Sequence, residues 1–161
     1  ENSNDSLDWV QSNTLTDTTR VNTYEAGVDN IKLEFPSDIV MLTKDEIIYY
    51  FGEVYANAYD CLAMSPDFSK MVMVFTDNKS NYEEEYTPEE YLKMSLQDEN
   101  VEVEKQEVSG HTFYVHVKTY EGENGSTYVE QDYIYDAGDS FICLVFDSLE
   151  SDKINVGEII K

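Results

Sequence analysis

Residues 141–146, FICLVF, are six apolar side chains in succession, bounded by Asp136-Ala137-Gly138-Asp139 before and Asp147-Ser148 after. Successive side chains of a strand point to opposite faces, so an unbroken apolar run has no wet side. The run predicts a central strand covered on both faces. It is also the longest apolar run in the chain, since IIYYF (47–51) and MVMVF (71–75) hold five residues each. A membrane-spanning helix needs roughly 20 apolar residues. The sequence therefore specifies short elements packed in layers.

The elements that would clad such a strand can be read in order. Runs 20–25 and 30–35 are joined by AGVD and read as a hairpin, with Ile31, Leu33 and Phe35 alternating with Lys32 and Glu34 until Pro36 stops the strand. Thr43 with Glu46 three residues on is a capping-box pattern, so IIYYF reads as a helix ending by Gly52. Runs 59–64 and 71–76 read as strands joined by SPDFSK. Residues 77–86 read as an acidic loop. Thr87-Pro88-Glu89-Glu90 then opens a second helix, combining an N-cap, a proline at the first helical position and first-turn acids. Runs 101–108, 111–120, 127–135 and 141–146 form an antiparallel meander, with Asn124-Gly125 at a tight turn. Ser151 is read as the cap of a last helix anchored by Ile154, Ile159 and Ile160. Residues 1–18 are read as a polar linker or tether, with Trp9 docking onto the body as part of a short turn. Residues 19–161 are read as one domain.

Thirty-four acids face ten bases across 161 residues, a formal net charge of −24. Such a surface repels phosphate backbones and anionic headgroups, which argues against nucleic-acid binding. With 41% hydrophobic residues the chain still has the means to build a core. The polar start resembles that of a mature chain whose targeting segment has been removed. The expectation is a secreted, cell-surface-attached monomer, with a lipid anchor upstream of the tether.

Several motifs appear in a distinctive order. FPSD (35–38) is followed by CLAMSPD (61–67) and MVMVF (71–75). TPEEYLKM (87–94), VSG (108–110), DYIYDAGDSFICLVF (132–146) and a C-terminal helix come next. This order resembles the PsbP-like family, in particular its bacterial surface-lipoprotein branch, from residue 20 to the end. Ile39 stands where that family often carries an aromatic residue. The resemblance implies an α+β fold, an antiparallel sheet of five to seven strands with helices packed on both faces. It also implies a non-catalytic binding or assembly role, since the family supplies no shared active site.

Catalytic signatures are sparse. His111 and His116 lie in no nucleophile–base pattern and read as packed or solvated residues, His116 sharing the more polar sheet face with Tyr114 and Lys118. Cys61 and Cys143 each lie in an apolar run and read as buried core residues, a disulfide being the alternative. Carboxylates leave a metal site open, and calcium is the cation they would suit. Asp77, Asn78, Asn81, Glu83, Glu84 and Glu85 are candidates in the acidic loop, with Asp136 and Asp139 at the following hairpin turn. Acids in turns are also ordinary turn formers, and no other cofactor is expected. The thirteen tyrosines suit packing, or a partner surface where they are exposed. The leading expectation is thus a binding module for a protein or cell-wall component. The alternatives are a carboxylate-based hydrolase and a calcium-stabilised structural domain.

Overall fold

The computed structural model describes residues 20–161; the expected tether and the docking of Trp9 lie outside the described residues. Nine strands are present among them: β1 (Thr23–Glu25), β2 (Lys32–Glu34), β3 (Val40–Met41), β4 (Cys61–Met64), β5 (Lys70–Asn78), β6 (Glu104–Val108), β7 (His111–Glu121), β8 (Thr127–Asp136) and β9 (Ser140–Leu149). Four α-helices accompany them: α1 (Lys44–Phe51), α2 (Glu53–Ala58), α3 (Pro88–Leu96) and α4 (Val156–Ile159). Seven strands form one antiparallel sheet in the order β3-β4-β5-β9-β8-β7-β6, and β1-β2 form a separate two-stranded ribbon. The expected α+β architecture is therefore the observed one.

The doubly apolar run holds the middle of the sheet. β9 is the fourth of seven strands, paired with β5 on one side and β8 on the other. Its alternate residues feed two cores. Ile142, Leu144 and Phe146 join Val72, Val74, Phe113 and Val115 beneath the β1-β2 ribbon and α4. Phe141 and Cys143 face the other way, against Tyr91 and Leu92 of α3. On that second face α1 and α2 cover Leu62, Met64, Met71 and Met73. Two-sided cladding is what an unbroken apolar strand requires.

Local chemistry explains most boundaries. Thr43 and Thr87 both form the full reciprocal capping box, with Glu46 and Glu90 reaching back to the cap nitrogens at 2.9 and 3.1 Å. Buried Glu46 is also paired with Arg20, whose guanidinium bonds Met41 O. The β6–β7 turn places Ser109 and Gly110 at φ 53° and 81°, the doubly positive geometry of a two-residue type I′ hairpin.

Several expectations need correction. Ser151 does not cap the last helix: it lies in a 3-10 turn (Glu150–Asp152), and Asn155 precedes α4 without a side-chain cap bond. The cause is tertiary. Buried Gln131 donates to Ile154 O at 3.0 Å and Ile154 N donates to Ser148 Oγ at 3.2 Å, which pins the chain before α4 can start. The 77–86 loop is shorter than expected, because β5 runs on through Asn78 in register with Ser140, followed by a 3-10 turn (Lys79–Asn81). The 101–108 strand begins only at Glu104. Between Gly52, at φ 98°, and the strand read at 59–64, the chain forms a further helix, α2.

Candidate functional site

Three connecting segments meet at one end of the molecule. The 35–38 loop follows β2, the 65–69 turn joins β4 to β5, and the 150–155 segment follows β9. Asn22 organises the first, donating through Nδ2 to the carbonyls of Phe35, Pro36 and Ile39 and accepting from Met41 N at 2.8 Å. Between them lies a cleft of about 470 Å³ whose lining includes Phe35, Asp38, Lys70, Asp152, Lys153 and Lys161. A second hollow of about 240 Å³, against Ser65, Asp67 and Ser69, shares Asp38, Lys70 and Asp152 with it.

The charges here are locked. Lys70 Nζ is bound to Asp38 at 2.9 Å and to Asp152 at 3.2 Å. The Asp38 bond, helped by Asp152, outweighs burial and holds the ammonium above its ordinary range. Asp67 accepts from Ser65 Oγ and Ser69 Oγ, both at 2.7 Å, and from Ser69 N at 3.0 Å. Those hydroxyl bonds hold its carboxyl below the usual value. This cage sets the turn so that Phe68 sits at φ 62° with 43% of its surface exposed. Positive φ is costly for a bulky side chain and concentrates where the surrounding structure imposes it.

The metal candidates are dispersed to other tasks or to solvent. Asp77 accepts from Tyr82 Oη at 2.5 Å, Tyr91 Oη at 2.8 Å and Asn81 Nδ2 at 3.1 Å. Asp136 pairs with Lys79 at 2.8 Å and accepts from Gly138 N. Glu83, Glu84, Glu85, Asp139 and Asn78 are exposed. Among the described residues no three His, Cys, Asp or Glu side chains are grouped as they would be around a metal ion. Cys61 and Cys143 are free, buried thiols in cores on opposite faces of the sheet, each pushed by burial up to about 12. His111 Nε2 lies 2.6 Å from Asp29 O, and His116 Nδ1 lies 3.0 Å from Glu102 O. His116 does share the face of Tyr114 and Lys118, opposite Asp132. Of the tyrosines, Tyr91 is buried while Tyr49 is 67% exposed.

Sequence reasoning missed a carboxyl cluster on the α3-bearing face. Asp132 is 6% exposed, and no N–H or hydroxyl donor reaches its Oδ2. Burial, then the charge and carboxyl contact of Glu130, push it up to about 8. Asp147, raised chiefly by burial, accepts from Tyr120 Oη at 2.7 Å on both oxygens. The available signal was Glu130 and Asp132 two apart in a strand, hence on one face.

No family model matches the sequence, and no curated protein does either. Solved structures do. A Bacteroides thetaiotaomicron VPI-5482 protein superposes with a TM-score of 0.55 at 10% identity, over 89% of this chain and 48% of that one. The chain thus spans about half the length of that structure, and the likeness is one of fold. LpqN of Mycobacterium tuberculosis, described as involved in cell envelope biogenesis, gives 0.46 at 13% identity over 80% of this chain and 78% of its own. The cyanobacterial PsbP of Synechocystis sp. PCC 6803 gives 0.46 at 10% identity over 83% and 85%.

Proposed function

We propose that this chain is a non-catalytic binding or assembly module of a secreted, surface-attached protein of PsbP-like type, and that it engages its partner, a protein or wall component, at the Lys70 cleft. Phe68 carries this reading: an exposed aromatic held at positive φ between Asp67 and Ser69, which line the smaller hollow, is a built anchor. The charges around it suit recognition rather than proton transfer. A general acid or base works best with a pKa near the operating pH, whereas Lys70 is held protonated and Asp67 ionised.

The test is capture from cell-surface extracts with wild-type chain and with F68G. Glycine accepts the backbone geometry, so F68G is expected to gain about 1 kcal/mol of stability in urea unfolding and to lose the captured partner. Retention of the same partner by F68G would remove the cleft from the reading. A second reading, carboxylate-based hydrolysis, draws on the raised pKa of Asp132 beside Glu130. Turnover of a glycoside or ester panel that disappears in D132N would favour it over the binding module.

A further inference from the structure

One edge of the large sheet is covered by its own chain only halfway. β6 is the last strand there, and its pairing with β7 ends at Glu104 opposite Val115, although β7 runs on to Glu121. The two-residue Ser109-Gly110 turn fixes the parity of the ladder. Residues flanking such a turn form a hydrogen-bonded pair, so every second residue of β7 from His111 onward turns its N–H and C=O away from β8. Val117, Thr119 and Glu121 are three of these, and among the described residues no strand pairs with them on that side. Residues 117–121 are exposed throughout. We propose that this open edge receives an added antiparallel strand, an extended segment of a partner protein that carries lysine or arginine.

Main-chain groups give the first argument. A row of unpaired N–H and C=O groups at a sheet edge is a template for another strand. Native chains blunt such edges with proline, a bulge or a covering segment. Residues 117–121, VKTYE, contain no proline, and their register with β8 is unbroken, with no bulge. The segment before β6 does not cover them either. Its Glu102 O accepts from His116 Nδ1 at 3.0 Å, and a hollow of about 490 Å³ opens between residues 102–104 and the Val115–Val117 stretch of β7.

The hollow selects the occupant. Its walls are Val103, Val115 and Val117 together with Glu102 and Glu104. Lysine and arginine bury an aliphatic stem and keep the charged tip free, so the stem would lie on the valines and the cation would reach the glutamates. Glu104 stands opposite Val115, and Glu121 shares the face of Val117 four residues further on. Carboxylates thus mark both ends of the open edge on one face. Lys118, the one cation of residues 117–121, projects from the opposite face and is paired with Glu130 at 3.3 Å. A net charge of −24 opposes the pairing of two copies of this edge and favours a basic partner. The edge is also separate from the Lys70 cleft. Lys70, Ser148, Val129 and Thr119 form one row, three strand spacings or about 14 Å across.

Calorimetric titration of the full chain with the blocked peptide Thr-Lys-Thr-Val-Thr-Lys-Thr tests this. The peptide reads the same in both directions and spaces its lysines four apart. Saturable binding with a Kd of about 1 mM or tighter is expected, with slowed hydrogen exchange at the amides of Val117, Thr119 and Glu121. Methylating the backbone nitrogen of the central valine, which would face Thr119, should weaken binding at least about tenfold, and glutamates in place of both lysines should abolish it. T119P removes an outward N–H and no bond to β8, so with circular dichroism as the folding check it should weaken binding at least about tenfold. E102Q combined with E104Q should weaken it by about threefold or more. F68G should bind the peptide as wild type does, so that the edge and the Lys70 cleft stand or fall separately. Absence of saturable binding, equal binding of the N-methylated peptide, or wild-type affinity in folded T119P would each overturn the proposal. So would a dimer of the chain alone that T119P disperses in sedimentation, which would assign the edge to a second copy.

Discussion

Asp77 and Asp132 stand on the same face of the same sheet, one on β5 and one on β8, yet the fold treats them oppositely. Burial pushes Asp77 up, but donors from Tyr82, Tyr91 and Asn81 outweigh it and leave the carboxyl below its ordinary value. Asp132 is the more buried of the two, has no donor on Oδ2, and is raised to about 8. The two sites differ in what the neighbouring elements bring. α3 delivers Tyr91 over one carboxylate, while β8 and β9 deliver Glu130 and Asp147 beside the other. A buried carboxylate served by donors contributes to stability, and one crowded by other carboxyls costs stability once it is ionised.

The largest way to break this contrast is to remove the satisfied member. D77A leaves the hydroxyl of buried Tyr91 with only the Cys143 sulfur, 3.5 Å away, as a partner. Hydrogen bonds to charged groups are worth about 1.5–3 kcal/mol, so urea unfolding of D77A should show a loss of about 3 kcal/mol. A wild-type midpoint would mean the tyrosines are equally well served by water.

The unsatisfied member should respond in the opposite direction. A carboxyl whose folded pKa is raised contributes stability that is whole below its unfolded value and lost as pH rises through the folded one. For Asp132 that window runs from about pH 4 to about pH 8. D132N removes the titration, so it should gain about 2 kcal/mol over wild type at pH 8 and match it at pH 4. Parallel stability curves for the two proteins across this window would contradict the raised pKa.

A finer test separates caps that hold a site from residues that only look like caps. T87A loosens the start of α3, which carries Tyr91 to Asp77, and should cost about 1 kcal/mol. S151A touches no cap bond and should stay within about 0.5 kcal/mol. A larger loss for S151A than for T87A, read from thermal unfolding, would reverse the assignment of the two helix starts.

Much of the architecture was legible because its signals are local. Thr43 and Thr87 cap as their spacing predicts, and residues 141–146 occupy the sheet centre. The α2 helix was not legible, since Gly52 reads as a stop and EVYANA lacks a strong apolar stripe. The candidate sites were legible only in part. The 35–38 loop and the 65–69 turn were recognisable as turns, but nothing in either indicates that both close on Lys70. The acids of 77–86 looked like the chemistry because they are dense in sequence. The cluster of crowded carboxyls, Glu130, Asp132 and Asp147, is divided between two strands.

The sequence by itself determined where most of the strands lie, which helices start at threonine caps, and that one strand must be covered on both faces. These follow from side-chain periodicity and from hydrogen bonds within four residues. Tertiary structure alone decided that Asp77 finds two tyrosines and Asp132 finds other carboxyls. It also decided that Gln131 and Ser148 delay the last helix past Ser151, and that Lys70 is gripped from two separate loops. The packing of loops, helices and neighbouring strands sets these outcomes, and most of them join residues more than ten positions apart, where no local propensity acts.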